Sequence, residues 1–245
     1  MPSLEQQGFE VIPGILGGAA VSSLLRAVLG SKIPRSRAGM RRAMDVEAVR
    51  EVALDPRILT LARSALGRRA FPFRATLFDK SLDSNWLVTW HQDTALPLRE
   101  RHEIPGWGPW SVKEGVSCAH APGFVLENIL AIRINFDDSN GINGPLRVVP
   151  ATHRLGVLSY DSIHELANKI HPVECHVGAG GLVLMKPLLI HSSSKVIDGS
   201  RRVLHIEYSS LLHFPGGLEL FTHHSDGNKS GHQAVVNCDA QSLSH

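Results

Sequence analysis

The stretch NWLVTWHQDTALPL, residues 85–98, decides how this chain is read, because His91-Gln92-Asp93 lies at its centre. On a β-strand side chains alternate faces, so Leu87, Thr89, His91 and Asp93 share one side. One strand then delivers two metal ligands. The pattern alone is weak: with 14 His and 23 acidic residues among 245, chance supplies about one or two His-x-Asp/Glu matches. Two more are present, His205-Ile206-Glu207 and His224-Ser225-Asp226. Context has to rank them.

Upstream, PFRATLFDK (72–80) alternates and sets Arg74, Thr76, Phe78 and Lys80 on one face. Downstream, strands are expected in 128–136, 145–150, 181–185 and 202–210, parted by the turn-rich pieces DDSNGINGP, VGAGG and VIDGS. The first 70 residues read differently. Val21, Leu24, Leu25, Val28 and Leu29 follow helical spacing up to Gly30, and a shorter helix is expected after Asp45. LDPRILTLARSALG then supplies Asp55 as N-cap, Pro56 in the first turn and Gly67 as terminator. Helices followed by short strands, with no βαβ alternation, predict a mainly β fold: a sandwich or jelly-roll barrel with N-terminal helices packed on it. The expected organisation is one domain over 1–223, helical to residue 70 and barrel from about 71 to 215. The polar, aperiodic segment 224–245 reads as a mobile tail, which removes His224 and Asp226 from contention.

Composition narrows the class of function. Charged residues are 20%, hydrophobic ones 43%, and the formal charge is +2, so no polycationic surface for nucleic acid or membrane is expected. The expected partner is a small molecule. Cys118, Cys175 and Cys238 are odd in number and form no C-x-x-C pair, which argues against a disulfide framework and a thiolate zinc site. No basic and apolar leader and no long apolar run is present. A reducing, cytoplasmic setting is the expectation.

Two histidines and one carboxylate on one face of an ion leave three positions open, which suits non-haem Fe(II) that must bind co-substrate and O2 together. LLIHSSSKV offers the third ligand: His191 ends an apolar segment and opens a polar one. Eleven residues later comes Arg202. By strand phase it shares a face with Leu204, Ile206 and Tyr208, and an arginine pointing with an apolar face needs a carboxylate partner. By the same phase Arg201, Val203, His205 and Glu207 point the other way, so His205 and Glu207 read as an outward pair without a metal role.

Together these residues resemble the phytanoyl-CoA dioxygenase-like branch of the Fe(II)/2-oxoglutarate-dependent oxygenases. The resemblance rests on WHQD at 90–93, NGPLRVVPATHR at 143–154, His191 and the arginine that follows it, and extends over about residues 8–215. It implies a double-stranded β-helix (jelly-roll, cupin-like) with His91, Asp93 and His191 as iron ligands. It also implies Arg202 as the clamp for the distal carboxylate of 2-oxoglutarate, and O2 as the oxidant. Lys80, eleven residues before the first ligand, matches a pocket lysine of relatives such as ectoine hydroxylase; a solvated strand-end lysine is the plainer alternative. Halogenating relatives replace the carboxylate ligand by Gly or Ala, whereas Asp93 is present, so hydroxylation of an unactivated C–H bond or a related oxidation is implied, with desaturation, ring formation and epimerisation open on the same iron site. A cupin-like metal-dependent isomerase or hydrolase, and a non-catalytic binding barrel, remain as alternatives.

The segment 96–123 is long, rich in Pro and Gly, and carries Trp107 and Trp110 directly after the ligands. Such loops are usually functional or disordered, so a lid over the iron is expected, with Trp107, Trp110 and Arg133 as candidate substrate contacts. Arg99 and Arg101 read as solvated. Trp86 and Trp90, opposite the ligands in phase, read as packing residues, and Asn143-Gly144-Pro145 as a turn.

Overall fold

A computed structural model describes residues 2–222; the expected tail, with His224 and Asp226, lies outside them. The three anticipated helices form as Gly18–Leu29, Glu47–Ala53 and Pro56–Leu66. Their ends follow from local chemistry. The Asp55 carboxylate accepts the backbone N–H of Arg57, Pro56 occupies the first turn, and Gly67 adopts φ +93°, which closes the helix.

Two antiparallel sheets make the jelly roll. The larger runs in the order Phe9–Ile12, Leu182–Met185, Ile129–Asn135, Ser200–Ser209, Phe71–Ser81, Gly39–Met40. The smaller runs Val173–Cys175, Leu146–Val148, His191–Ser193, Val88–His91. A third sheet of Ala95–Leu98, Val116–His120 and Trp110–Lys113 is built from the segment expected to be a lid. The edge strand Phe9–Ile12 and the helix Tyr160–Lys169 were not anticipated.

The larger sheet is buried on both faces, and that fact positions the site. Ala75, Leu77, Leu130, Ile132, Ile134, Leu204, Ile206 and Tyr208 turn outward and pack against Val21, Leu24, Val28, Val49, Ile58 and Ala62 of the helices. Each such aliphatic side chain contributes roughly 1.5–3 kcal/mol by leaving water. The buried Tyr208 hydroxyl donates to the Ala53 carbonyl at 2.8 Å, so it joins sheet to helix without an unpaired polar group. The alternate residues face the space between the sheets. At one end that space is apolar, filled by Ala131, Val148, Val183, Met185 and Leu189. At the other it is lined by polar side chains.

Candidate active site

His91 and His191 stand directly opposite each other on paired strands, which brings their ring centroids to 4.2 Å. Asp93 completes the group: its Oδ1 lies 3.6 Å from His91 Nε2 and its Oδ2 3.4 Å from His191 Nε2. One donor atom from each residue falls within 4.8 Å of the others, the one such cluster among the described residues. The backbone fixes which nitrogens face the centre. His91 Nδ1 meets the Thr89 carbonyl at 2.8 Å and His191 Nδ1 the Leu189 carbonyl at 2.9 Å. A carbonyl only accepts, so Nδ1 carries the proton and both Nε2 lone pairs point inward, as metal ligation requires.

The short turn carrying Asp93 is held from both sides. Its N–H donates to the Pro187 carbonyl at 2.9 Å. The Gln92 amide donates to the Leu188 and Gly156 carbonyls at 2.7 and 2.9 Å and accepts from Leu158 N–H. Burial pushes the Asp93 carboxyl up, but the charges and hydrogen bonds of His191 and His91 outweigh it and hold it well below the ordinary value. The donor set is thus an ionised carboxylate and two imidazoles, a fit for Fe(II).

The cavity around this group measures about 170 Å³ and is also walled by Lys80, Arg133 and Arg201. All three cations are buried, and none forms an ion pair among the described residues. Lys80 Nζ donates to Ser193 Oγ and to the Ser194 carbonyl, both at 2.8 Å, and sits 5.1 Å from the Trp86 ring centroid. Burial, then Arg201 and Arg133, push its pKa down to about 7. Arg201 reaches Ser193 Oγ only at 3.4 Å, and its buried Nε has no hydrogen-bond partner. Arg133 donates to His205 Nδ1 at 3.0 Å, so His205 is neutral; burial and Arg133 push its pKa to about 3. Glu207 lines the same cavity and accepts from Arg74 Nε and Nη2, one carboxylate oxygen each. An unpaired cation cluster with an orphaned guanidinium N–H is a receptor for an anion.

Four expectations need correction. Arg202 is not in this cavity: it is partly exposed and binds Asp137 at 2.9 Å through Nε and 2.5 Å through Nη2. The strand phase was right but the face was wrong, since the apolar side packs on helices and the polar side faces the metal group. Arg201 therefore points in, together with His205 and Glu207, which were read as outward. Lys80 and Arg201 are direct cross-strand partners, a pairing that a single strand's pattern does not reveal. Trp107 and Trp110 also miss the cavity. They pack on a separate apolar cluster with Phe214, Leu96 and Leu218, with Trp107 5.5 Å from the Phe214 ring. Burying two large indoles stabilises the small sheet, so they face its core. Trp86 lines the metal cavity instead of packing, whereas Trp90 packs with Ile163 and Ala167.

Lys80 and Arg133 both line the cavity. The Asn143-Gly144-Pro145 turn lies against the Ser194 segment that holds Lys80. Gly144 has φ +69°, and a Cβ there would lie 2.4 Å from the Ser194 carbonyl oxygen, the atom Lys80 binds. Only glycine lets these segments meet.

A family model described as phytanoyl-CoA dioxygenase (PhyH) matches residues 31–203. An L-proline trans-4-hydroxylase from Streptomyces griseoviridis is 28% identical over 145 residues, 48% of this chain and 53% of that protein, so the chain spans about half the length of this curated relative. Among solved structures, iron-bound EctD from S. alaskensis superposes with a TM-score of 0.64 at 18% identity, over 85% of this chain and 74% of that one. The non-heme alpha ketoglutarate dependent epimerase SnoN from nogalamycin biosynthesis gives 0.60 at 19%, over 84% and 79%. HygX from Streptomyces hygroscopicus, with nickel and 2-oxoglutarate bound, gives 0.61 at 15%, over 86% and 85%. At these identities the structural likeness is one of fold.

Proposed function

This chain belongs to the phytanoyl-CoA dioxygenase family, and from that premise we propose that it is a non-haem Fe(II)- and 2-oxoglutarate-dependent oxygenase that hydroxylates a C–H bond of a small organic molecule. One observation carries the reading: a two-His, one-carboxylate set shares a cavity with three buried basic side chains, none of which forms an ion pair among the described residues. His91, Asp93 and His191 hold the iron. Arg201 takes the distal carboxylate of 2-oxoglutarate through its free Nε edge, a bidentate, charge-assisted contact, and Lys80 and Arg133 add a positive field for the dianion.

Iron so held supplies O2 activation coupled to decarboxylation of 2-oxoglutarate to succinate and CO2, with one oxygen atom delivered to the substrate. The chain's own groups orient and insulate. The Nδ1–H bonds of His91 and His191 to backbone carbonyls fix the imidazole planes before metal arrives. His205 stays neutral, accepts from Arg133 and aims that guanidinium without adding a positive charge. Asp93 fills a coordination position, which favours hydroxylation over halogenation. The reading takes 1–223 as a single oxygenase domain in a reducing cytoplasm, where iron stays ferrous and the free thiols Cys118 and Cys175 stay reduced. No helix among the described residues is long and apolar enough to cross a membrane.

The test is anaerobic loading of purified apoprotein with Fe(II), then calorimetric titration with 2-oxoglutarate, then exposure to O2 with candidate substrates while succinate is followed. Bound iron, lost in Asp93→Ala, and succinate formation that substrate accelerates are the expected results. Iron bound without any uptake or turnover of 2-oxoglutarate would refute the proposal.

A further inference from the structure

A second cavity, about 260 Å³ in volume, lies beside the metal pocket. Gly39–Met40 pairs with Phe71–Ser81 only at Leu77 and Phe78, so residues 73–76 form an open strand edge. Consecutive residues from both faces of that edge, Phe73 to Thr76, line the cavity, and Pro97, Val116 and Cys118 of the small third sheet wall it from across. The two cavities are neighbours: Thr76 and Phe78 line both. Arg74 lines the second while its ion-pair partner Glu207 lines the first, so this pair spans the partition.

The lining has a definite chemistry. Phe73, Phe78, Val116 and Phe221 make the body of the cavity apolar. At its rim stand Arg41, Arg42, Lys113 and one carboxylate, Glu114. Asp45 binds Arg42 at 2.8 Å, whereas the exposed side chains of Arg41 and Lys113 form neither a hydrogen bond nor an ion pair among the described residues. The rim therefore carries surplus positive charge over an apolar chamber. At roughly 30 Å³ per water, the volume corresponds to about nine waters, or a molecule of about ten non-hydrogen atoms.

We propose that this cavity is the substrate chamber and that it takes an organic carboxylate with an apolar body, held by its charge at Arg41 and Lys113 and oxidised at the remote end that passes between Thr76 and Phe78 toward the His91, Asp93 and His191 group. The assignment rests on the oxygenase reading and adds the class of substrate to it. Burial of the apolar body supplies affinity, and the rim charges select the anion and its orientation.

The test uses octanoate, octanamide and octylamine, three probes of equal chain length that differ in charge, titrated calorimetrically into anaerobic protein after Fe(II) and 2-oxoglutarate binding has been recorded on the same sample. Octanoate is expected to bind at least about tenfold more tightly than octanamide, with octylamine weakest. The double variant Arg41→Glu/Lys113→Glu loses that preference. Val116→Trp, which fills the chamber, loses all three probes and keeps 2-oxoglutarate binding. Octanamide or octylamine binding as well as octanoate, or octanoate affinity unchanged in the double variant, overturns the assignment. If iron and 2-oxoglutarate bind while no probe preference is seen, the chamber is wrong and the oxygenase reading stands. If octanoate binds with the stated dependence while 2-oxoglutarate does not, the chamber stands and the oxygenase reading falls.

Discussion

Adjacent arginines on one strand are predicted to respond in opposite ways to the same substitution. Arg201 is buried with an unpartnered Nε, so on the proposed reading Arg201→Met removes a bidentate contact to a bound carboxylate and costs the ligand-free protein no good hydrogen bond. Truncating one partner of a buried charge pair typically costs about 2–5 kcal/mol, and tenfold corresponds to about 1.4 kcal/mol. The affinity for 2-oxoglutarate should therefore fall between roughly thirtyfold and several thousandfold. Stability without ligand should hold or rise, because one of three mutually repelling cations has gone. Arg202→Met breaks a partly exposed ion pair with Asp137, worth at most about 1 kcal/mol, and should leave 2-oxoglutarate affinity within about threefold. Calorimetry of 2-oxoglutarate into anaerobic Fe(II)-loaded variants, with thermal unfolding of the apoproteins, reads both effects. Weak binding in Arg202→Met with near-normal binding in Arg201→Met would refute the assignment of the inward face.

Two other outcomes follow from the same geometry. Lys80, with a folded pKa of about 7 against 10.5 unfolded, binds fewer protons than the unfolded chain between those values, so ligand-free stability should rise with pH across that window. Lys80→Met should abolish the rise. Above pH 7 a bound dianion should restore the Lys80 charge, so 2-oxoglutarate binding at pH 8 should take up about one proton, read as a buffer-dependent binding enthalpy that Lys80→Met removes. Trp107→Ala should lower stability by about 2 kcal/mol, less than a fully buried tryptophan because Trp107 is only partly covered; a urea titration measures this. A loss of 2-oxoglutarate affinity in that variant would contradict its placement outside the metal cavity.

Much of this protein is legible in local chemistry. The Asp55 cap, Pro56 and Gly67 define a helix within a dozen residues, and those interactions need no distant partner. The metal group is almost as local: the period of two sets His91 and Asp93 on one side of the chain, and His191 lies at the end of an apolar run that must enter the core. The resemblance to the dioxygenase family supplied the co-substrate and the lysine.

The rest depended on which elements meet. A strand covered on both faces carries two patterns, and nothing within Ser200–Ser209 tells which side packs on helices and which faces the metal group. That choice puts Arg201 rather than Arg202 in the cavity and brings His205 and Glu207 inside. It is decided by the register with Phe71–Ser81, where Lys80 meets Arg201, and by the helices on the outer face. The tryptophans of the 96–123 segment read as lid residues until folding gave them Phe214 and Leu218 as neighbours. The second cavity belongs to no single segment, since it exists only where the open edge of one strand faces another sheet. Local sequence determined what each residue offers along its own strand or helix; the tertiary structure alone decided which side of each strand became the interior, because a β-strand is symmetric in that choice until its neighbours cover one face.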